Sequence, residues 1–302
     1  MSAGAVLAAG PRHSLGLRAD GTVLAAGAES AGECRVEGWR EVVAVAAGGV
    51  HAAANTGRSH SVGLRADGTV LATGWDAHGQ CATGDWRDVV AVAAGWRRTV
   101  GVREDGTVLA VGRRAEGACD VEDWRGIAAA ACGDWHTVGL VADGTARATG
   151  NDSRGQCRVG AWRDMVAVSA GHLHTIGLRS DGHVLLTGSL DGREEIASWQ
   201  DVVAIASGSD HVLALHEGGS VSAAGALGHA EEVRAWTGAV ALAAGARHSL
   251  ALGADGRVLA AGDDSHRQLG LAGASLGPPV RPVTGPRSIE DERADGLDTA
   301  HP

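Results

Sequence analysis

The 302-residue chain contains neither tyrosine nor phenylalanine, so nine tryptophans supply its large aromatic side chains. No apolar run approaches the roughly 20 residues that a membrane-spanning helix needs. The opening MSAGAVLAAG lacks the basic n-region and long h-region of a signal peptide. These absences imply a cytoplasmic protein without a membrane partner. The chain has no HExxH, no GxSxG and no phosphate-cradling GxxxxGK[ST], and none of its five cysteines stands in CxxC spacing. Neither a cofactor nor a metal is therefore expected. Positive charge is also short: 26 basic residues face 36 acidic ones, a formal net charge of −10. A surface of that sign repels phosphate, which argues against nucleic acid as a partner.

What the chain has in abundance is itself. Residues 133–144 read GDWHTVGLVADG and residues 171–182 read GHLHTIGLRSDG. The opening glycine recurs as Gly10, Gly48, Gly95, Gly133, Gly171, Gly208 and Gly245. A period of 37 or 38 residues, stretched once to 47 by a surplus at about 52–60, marks a repeat array. A tryptophan closes six units, at Trp39, Trp86, Trp124, Trp162, Trp199 and Trp236. Cys34, Cys81, Cys119 and Cys157 share one slot a full unit apart, which is the placement of buried free thiols and not of a disulfide framework.

Each unit carries a hairpin signal, an apolar stretch such as HTVGLR, then ADG or SDG, then TVLATG. A short QCRV segment and an Ala/Val-rich run such as VVAVAAG follow, which makes four strands per unit. Seven such units describe an all-β, seven-bladed β-propeller. Small Gly and Ala side chains let blades approach, with one tryptophan per unit filling the gap between sheets.

The recurrent GxxHTxGLxxDGTVxxxGxNxxGQ resembles the repeat of the regulator of chromosome condensation family, in its short bacterial form. The resemblance implies a ring closed by strands from both termini. The N-terminal VLAAG would then complete the last blade. The expected domain is 1–276, followed by a Pro-rich, disordered tail over 277–302.

The strand order sorts the loops onto two faces. The DG turns hardly change between units, whereas the pair after each opening glycine and the outer loops vary freely. Those outer loops include Trp75-Asp76-Ala77-His78 and Arg113-Arg114-Ala115-Glu116. The three tryptophans outside the recurrent slot, Trp75, Trp96 and Trp135, all fall on this variable face. Exposed tryptophan and arginine compose protein-binding hot spots. The expected function is therefore a non-catalytic scaffold gripping a protein or peptide through Trp75, Trp96, Arg97, Arg98, Asp134, Trp135, His172 and Asp210. The alternative is an enzyme or small-molecule binder at the channel mouth, where His172, Asp134, Asp210 and Arg97 would converge. The recurrent histidine, His13, His60, His136, His174, His211 and His248 with Arg98 in the third unit, reads as a structural residue bonded to a neighbouring backbone carbonyl, because a full blade separates its copies.

Overall fold

The Asp-Gly turns set the architecture. In RADGT the Asp20 carboxylate accepts the Thr22 N–H at 2.9 Å and the Thr22 hydroxyl at 2.6 Å. Gly21 takes φ 77° and donates its N–H to the Arg18 carbonyl at 3.0 Å. Only the glycine is left-handed, so the hairpin is a type I turn followed by a left-handed glycine. Asp67, Asp105 and Asp143 repeat the threonine bonds. Those bonds hold the four carboxyls below the ordinary range.

A computed structural model describes residues 5–49 and 58–277. Most of the 52–60 insertion and nearly all of the tail lie outside the described residues. The chain forms seven antiparallel three-stranded sheets. The first comprises β1 (Leu7–Ala9), β2 (His13–Leu17) and β3 (Val23–Gly27); the second β4 (Val42–Ala47), β5 (His60–Arg65) and β6 (Val70–Gly74). The third holds β7 (Val89–Gly95), β8 (Arg98–Arg103) and β9 (Val108–Gly112), and the fourth β10 (Ile127–Cys132), β11 (His136–Val141) and β12 (Ala146–Gly150). Next come β13 (Met165–Ala170), β14 (His174–Arg179) and β15 (Val184–Gly188), then α1 (Arg193–Ala197). The sixth sheet is β16 (Val202–Ser207), β17 (His211–His216) and β18 (Val221–Gly225), followed by α2 (Ala230–Arg234). The seventh is β19 (Ala239–Ala244), β20 (His248–Gly253) and β21 (Val258–Gly262). Seven repeated sheets of this kind are a seven-bladed propeller.

The outer QCRV segment is not a fourth strand among the described residues. Its backbone turns on itself, with the Arg35 N–H on Gly32 O and the Val36 N–H on Cys34 O, which leaves no extended edge to pair. In units five and six α1 and α2 stand in its place. The four cysteines of the shared slot are free, as their slot implied, and each of their thiols reaches back to the carbonyl six residues earlier, 3.2 Å from Cys34 to Ala28 and from Cys119 to Arg113. Burial pushes the Cys34 and Cys81 thiols up to about 12.

The N-terminal strand also differs from expectation. Leu7–Ala9 pairs with β2, whereas the seventh sheet is built from its own three consecutive strands. A blade therefore begins one strand before the opening glycine, and VLAAG is the first strand of blade one. The first and seventh sheets meet through side chains, with Leu7 and Ala9 in one apolar cluster with Leu250, Leu252, Leu271 and Leu276.

Three devices join neighbouring sheets. Trp39, Trp86, Trp124 and Trp162 lie on the mid-strand glycine of the next sheet, where Ala214 and Ala251 stand in sheets six and seven: a Cβ at Gly63 would stand 2.8 Å from the Trp39 ring, and one at Gly101 would stand 2.7 Å from that of Trp86. At Gly16, Leu276 and Leu271 take the tryptophan's place. The opening glycines pack against the histidine ring of their own unit, or the Arg98 guanidinium at Gly95, and all but Gly10 also against the glycine carbonyl of the next, an approach no side chain would allow.

The third device is a belt of histidines, each 1% exposed or less. The Nε2 atoms of His13, His60, His136, His211 and His248 reach the hydroxyls of Ser61, Thr99, Thr175, Ser249 and Ser14, at 2.8–3.2 Å. The partner is thus a hydroxyl of the adjacent sheet, and for His60 and His136 a backbone carbonyl there, of Arg98 and His174, contributes as expected. The hydroxyls of Ser14, Ser61, Thr99 and Thr175 donate their own proton to a carbonyl, so they accept from a neutral Nε2–H.

One link is missing. Val212 occupies the hydroxyl position of the sixth sheet, and both ring nitrogens of His174 lack a partner among the described residues. Val212→Thr, close to isosteric, should supply that partner and raise the unfolding free energy by about 1 kcal/mol in a urea titration. A variant no more stable than the parent would show that the hydroxyl is not what the site lacks.

Candidate binding surface

The sharpest turn on the variable face presents the candidate anchor. Trp96 and Arg97 alone connect β7 to β8, with Gly95 paired to Arg98 across the turn. Arg97 adopts φ 66°, a left-handed conformation that costs a side-chain-bearing residue on the order of 1 kcal/mol. Its guanidinium carbon lies 3.7 Å from the Trp96 ring centroid and 4.9 Å from that of Trp75. Trp96 meets Trp135 at 4.3 Å between centroids, tilted by 60°. Three loops from sheets two, three and four thus converge on one cluster.

The surroundings tune it. Arg97 Nη1 donates to His78 Nε2 at 3.3 Å, and the His78 ring stands edge-on to Trp75 at 5.4 Å. Burial, then the charges of Arg97 and Arg113, lower the His78 pKa, which keeps the ring neutral and able to accept. Burial and Arg113 likewise lower Arg97. Arg113 is neutralised by Glu116 at 2.6 Å and lies 5.8 Å from the Trp96 ring. Trp96 is buried against Gly49 of the second unit, while Trp75, Arg97 and Trp135 are half-buried and open outward.

The other residues expected at the site divide. Arg98 is a correction: at 2% exposure it lies inside the fold and not on the binding face. It stands in the histidine slot and donates to Thr137 Oγ1 at 2.9 Å, Asp134 O at 2.9 Å, Gly133 O at 2.6 Å and His136 O. Asp134 is buried too, its N–H on Gly171 O. His172 is half-buried with Nδ1 4.0 Å from the exposed Asp210 carboxylate. His78 and Arg113 were legible only as members of variable loops, since nothing in the sequence says that they reach the Trp96 turn.

Of the four groups named for a channel-mouth site, His172 and Asp210 approach to 4.0 Å, whereas Arg97 belongs to the aromatic cluster and Asp134 is buried. A cavity of about 540 Å³ does open between sheets six and seven, lined by Asp210, His229, Glu232, Arg247 and Asp263 among others. Among the described residues no three His, Cys, Asp or Glu are grouped to hold a metal, and no helix is long and apolar enough to cross a membrane.

Residues 52–80, 127–156 and 239–268 match the family described as Regulator of chromosome condensation (RCC1) repeat. Among solved structures, the chain is similar to the CRINKLY WD40 ectodomain of the Arabidopsis thaliana receptor kinase ACR4, with a TM-score of 0.67 and 16% identity over 91% of this chain and 98% of that one. Human WBSCR16 superposes with a TM-score of 0.62 and 18% identity, covering 82% and 86% of the two chains. Yeast RCC1 (Prp20), solved with Kap60 bound, gives a TM-score of 0.58 at 18% identity, covering 85% and 84%. At such identities the likeness is one of fold. No curated protein matches the sequence.

Proposed function

We propose that this propeller, which carries regulator of chromosome condensation repeats, is a non-catalytic scaffold that binds a protein or peptide partner through its variable loop face. The apolar contact between the first and seventh sheets supports closure of the ring, and free thiols pushed up by burial suit a cytoplasmic setting. The observation that carries the reading is the convergence of Trp75, Trp96 and Trp135 around Arg97. Interface hot spots are rich in tryptophan and arginine, and half-buried indoles supply large contact area at little entropic cost. Yeast RCC1, which shares the fold, is solved with a protein bound, and that structure lends the reading its precedent.

Because Trp96 also supports its loop, the cleaner test uses the two outer indoles. A Trp75→Ala, Trp135→Ala variant with an unchanged circular dichroism spectrum should lose a partner captured by the native chain from its own cells. Two hot-spot losses of about 2 kcal/mol each correspond to weakening by roughly three orders of magnitude if they add. Retention of the partner by the folded variant would remove the loop-face reading. The cavity between sheets six and seven supports a second reading, a small-molecule or catalytic site, for which ligand-induced thermal shifts abolished by Arg247→Ala would be the mark.

A further inference from the structure

We propose that Arg97 is the receptor for a carboxylate side chain of the bound partner, and that the partner presents an acidic segment. This rests on the protein-binding reading of the loop face and names the chemistry the face selects.

Among the described residues Arg97 has no carboxylate within ion-pair distance, and Glu116 acts on its charge only from further away. Among the described residues, the ion pairs to carboxylates engage Arg113, Arg114, Arg158, Arg179, Arg234 and Arg257, and none engages Arg97. Among the described residues its guanidinium donates a hydrogen bond to the neutral His78 ring, and its buried Nε–H has no partner. A half-desolvated cation without a direct ion pair is costly, and this one is held on a left-handed backbone as well. Such an arrangement is stabilised when an anion arrives.

The geometry states which anion. Indoles cover the guanidinium from Trp96 at 3.7 Å and Trp75 at 4.9 Å, so the open approach is in the plane where its N–H groups point. A planar carboxylate matches that fork, and a glutamate stem would lie along the indoles on the way in. A phosphate dianion has no apolar stem to lie along the indoles. Glu116, the nearby carboxylate, is already committed to Arg113.

The test is a tryptophan-fluorescence titration of the full chain with capped octaglutamate, with octaglutamine and inorganic phosphate alongside. Octaglutamate should change the emission saturably, and octaglutamine and phosphate should not. Arg97→Gln should weaken octaglutamate by at least about tenfold and Arg97→Lys by less, since lysine keeps the charge without the fork. Equal affinity in Arg97→Gln, no saturable change up to millimolar peptide, or phosphate displacing octaglutamate at equal concentration would each overturn the inference. Tighter binding of the chain's own SIEDERADGLD (residues 288–298) than of octaglutamate would also overturn it, by assigning the receptor to the tail. Capture of the native partner separates the two readings. A partner lost by the tryptophan variant but held by Arg97→Gln leaves the loop-face reading standing and sinks the carboxylate receptor. Arg97-dependent binding of octaglutamate without any captured partner does the reverse.

Discussion

Between pH 7.5 and 5.5 this protein should lose about 8 kcal/mol of stability, enough to unfold an ordinary domain. The cause is the histidine belt. Burial lowers His13 to about 4 and His60, His136, His174, His211 and His248 to about 3, while an unfolded histidine titrates near 6.5. The native state therefore stays neutral where the unfolded state takes up protons, so falling pH favours unfolding, beginning just above 6.5 and continuing toward the native values. At pH 5.5 each unfolded histidine holds about 0.9 of a proton, so the six together steepen the dependence to about 7 kcal/mol per pH unit. The Asp carboxyls held by the DG-turn threonines titrate only at lower pH and add little in this window. Urea unfolding at several pH values between 8 and 5.5 measures the slope. A slope below about 2 kcal/mol per pH unit would mean that fewer than two protons are taken up on unfolding, and that the belt is not the neutral, sealed structure described here.

The second large effect is expected at Arg98. Arg98→Ala removes four donated hydrogen bonds and leaves the Gly133 and Asp134 carbonyls facing an empty space between sheets three and four, while the His136 carbonyl keeps the Gly133 N–H. Unfilled buried acceptors and a cavity together cost about 3–5 kcal/mol. Arg98→His restores the residue found in the other six units, with Thr137 in place to accept its Nε2–H, and should keep more than half of that stability. Denaturant titration of both variants decides it: a histidine variant as unstable as the alanine one would show that the arginine's reach to the carbonyls, and not the link to Thr137, joins these sheets. Asp134 and Trp135 adjoin the carbonyls that Arg98 holds, so Arg98→Ala should also loosen the binding face.

The repeat was legible because each of its recurrent residues meets a local steric demand. The turn glycine must be left-handed, the opening glycine must admit a histidine ring in six units and an arginine in one, and the tryptophan needs a small residue, glycine or alanine, on the next sheet; such demands recur with the unit and show as periodicity. The outer strand was over-read because QCRV has strand composition, whereas its backbone closes into turns. Its pairing is decided by what lies beside it and not by its own residues. The off-register Trp75, Trp96 and Trp135 announced a surface by breaking the pattern. Arg98 broke the pattern too, and there the same signal misled, for its side chain fills the histidine's buried place.

The sequence by itself determined the seven-fold repeat, the hairpin of each blade, the face that varies and the tryptophans that mark it, because these follow from residue identity at a fixed period. Only the tertiary structure decided which sheet each histidine bonds, that the N-terminal strand belongs to the first blade, and that Arg97 stands between Trp75 and Trp96. Those relations join residues of different units, and their distances are set by how the sheets pack against one another, a quantity no single unit encodes.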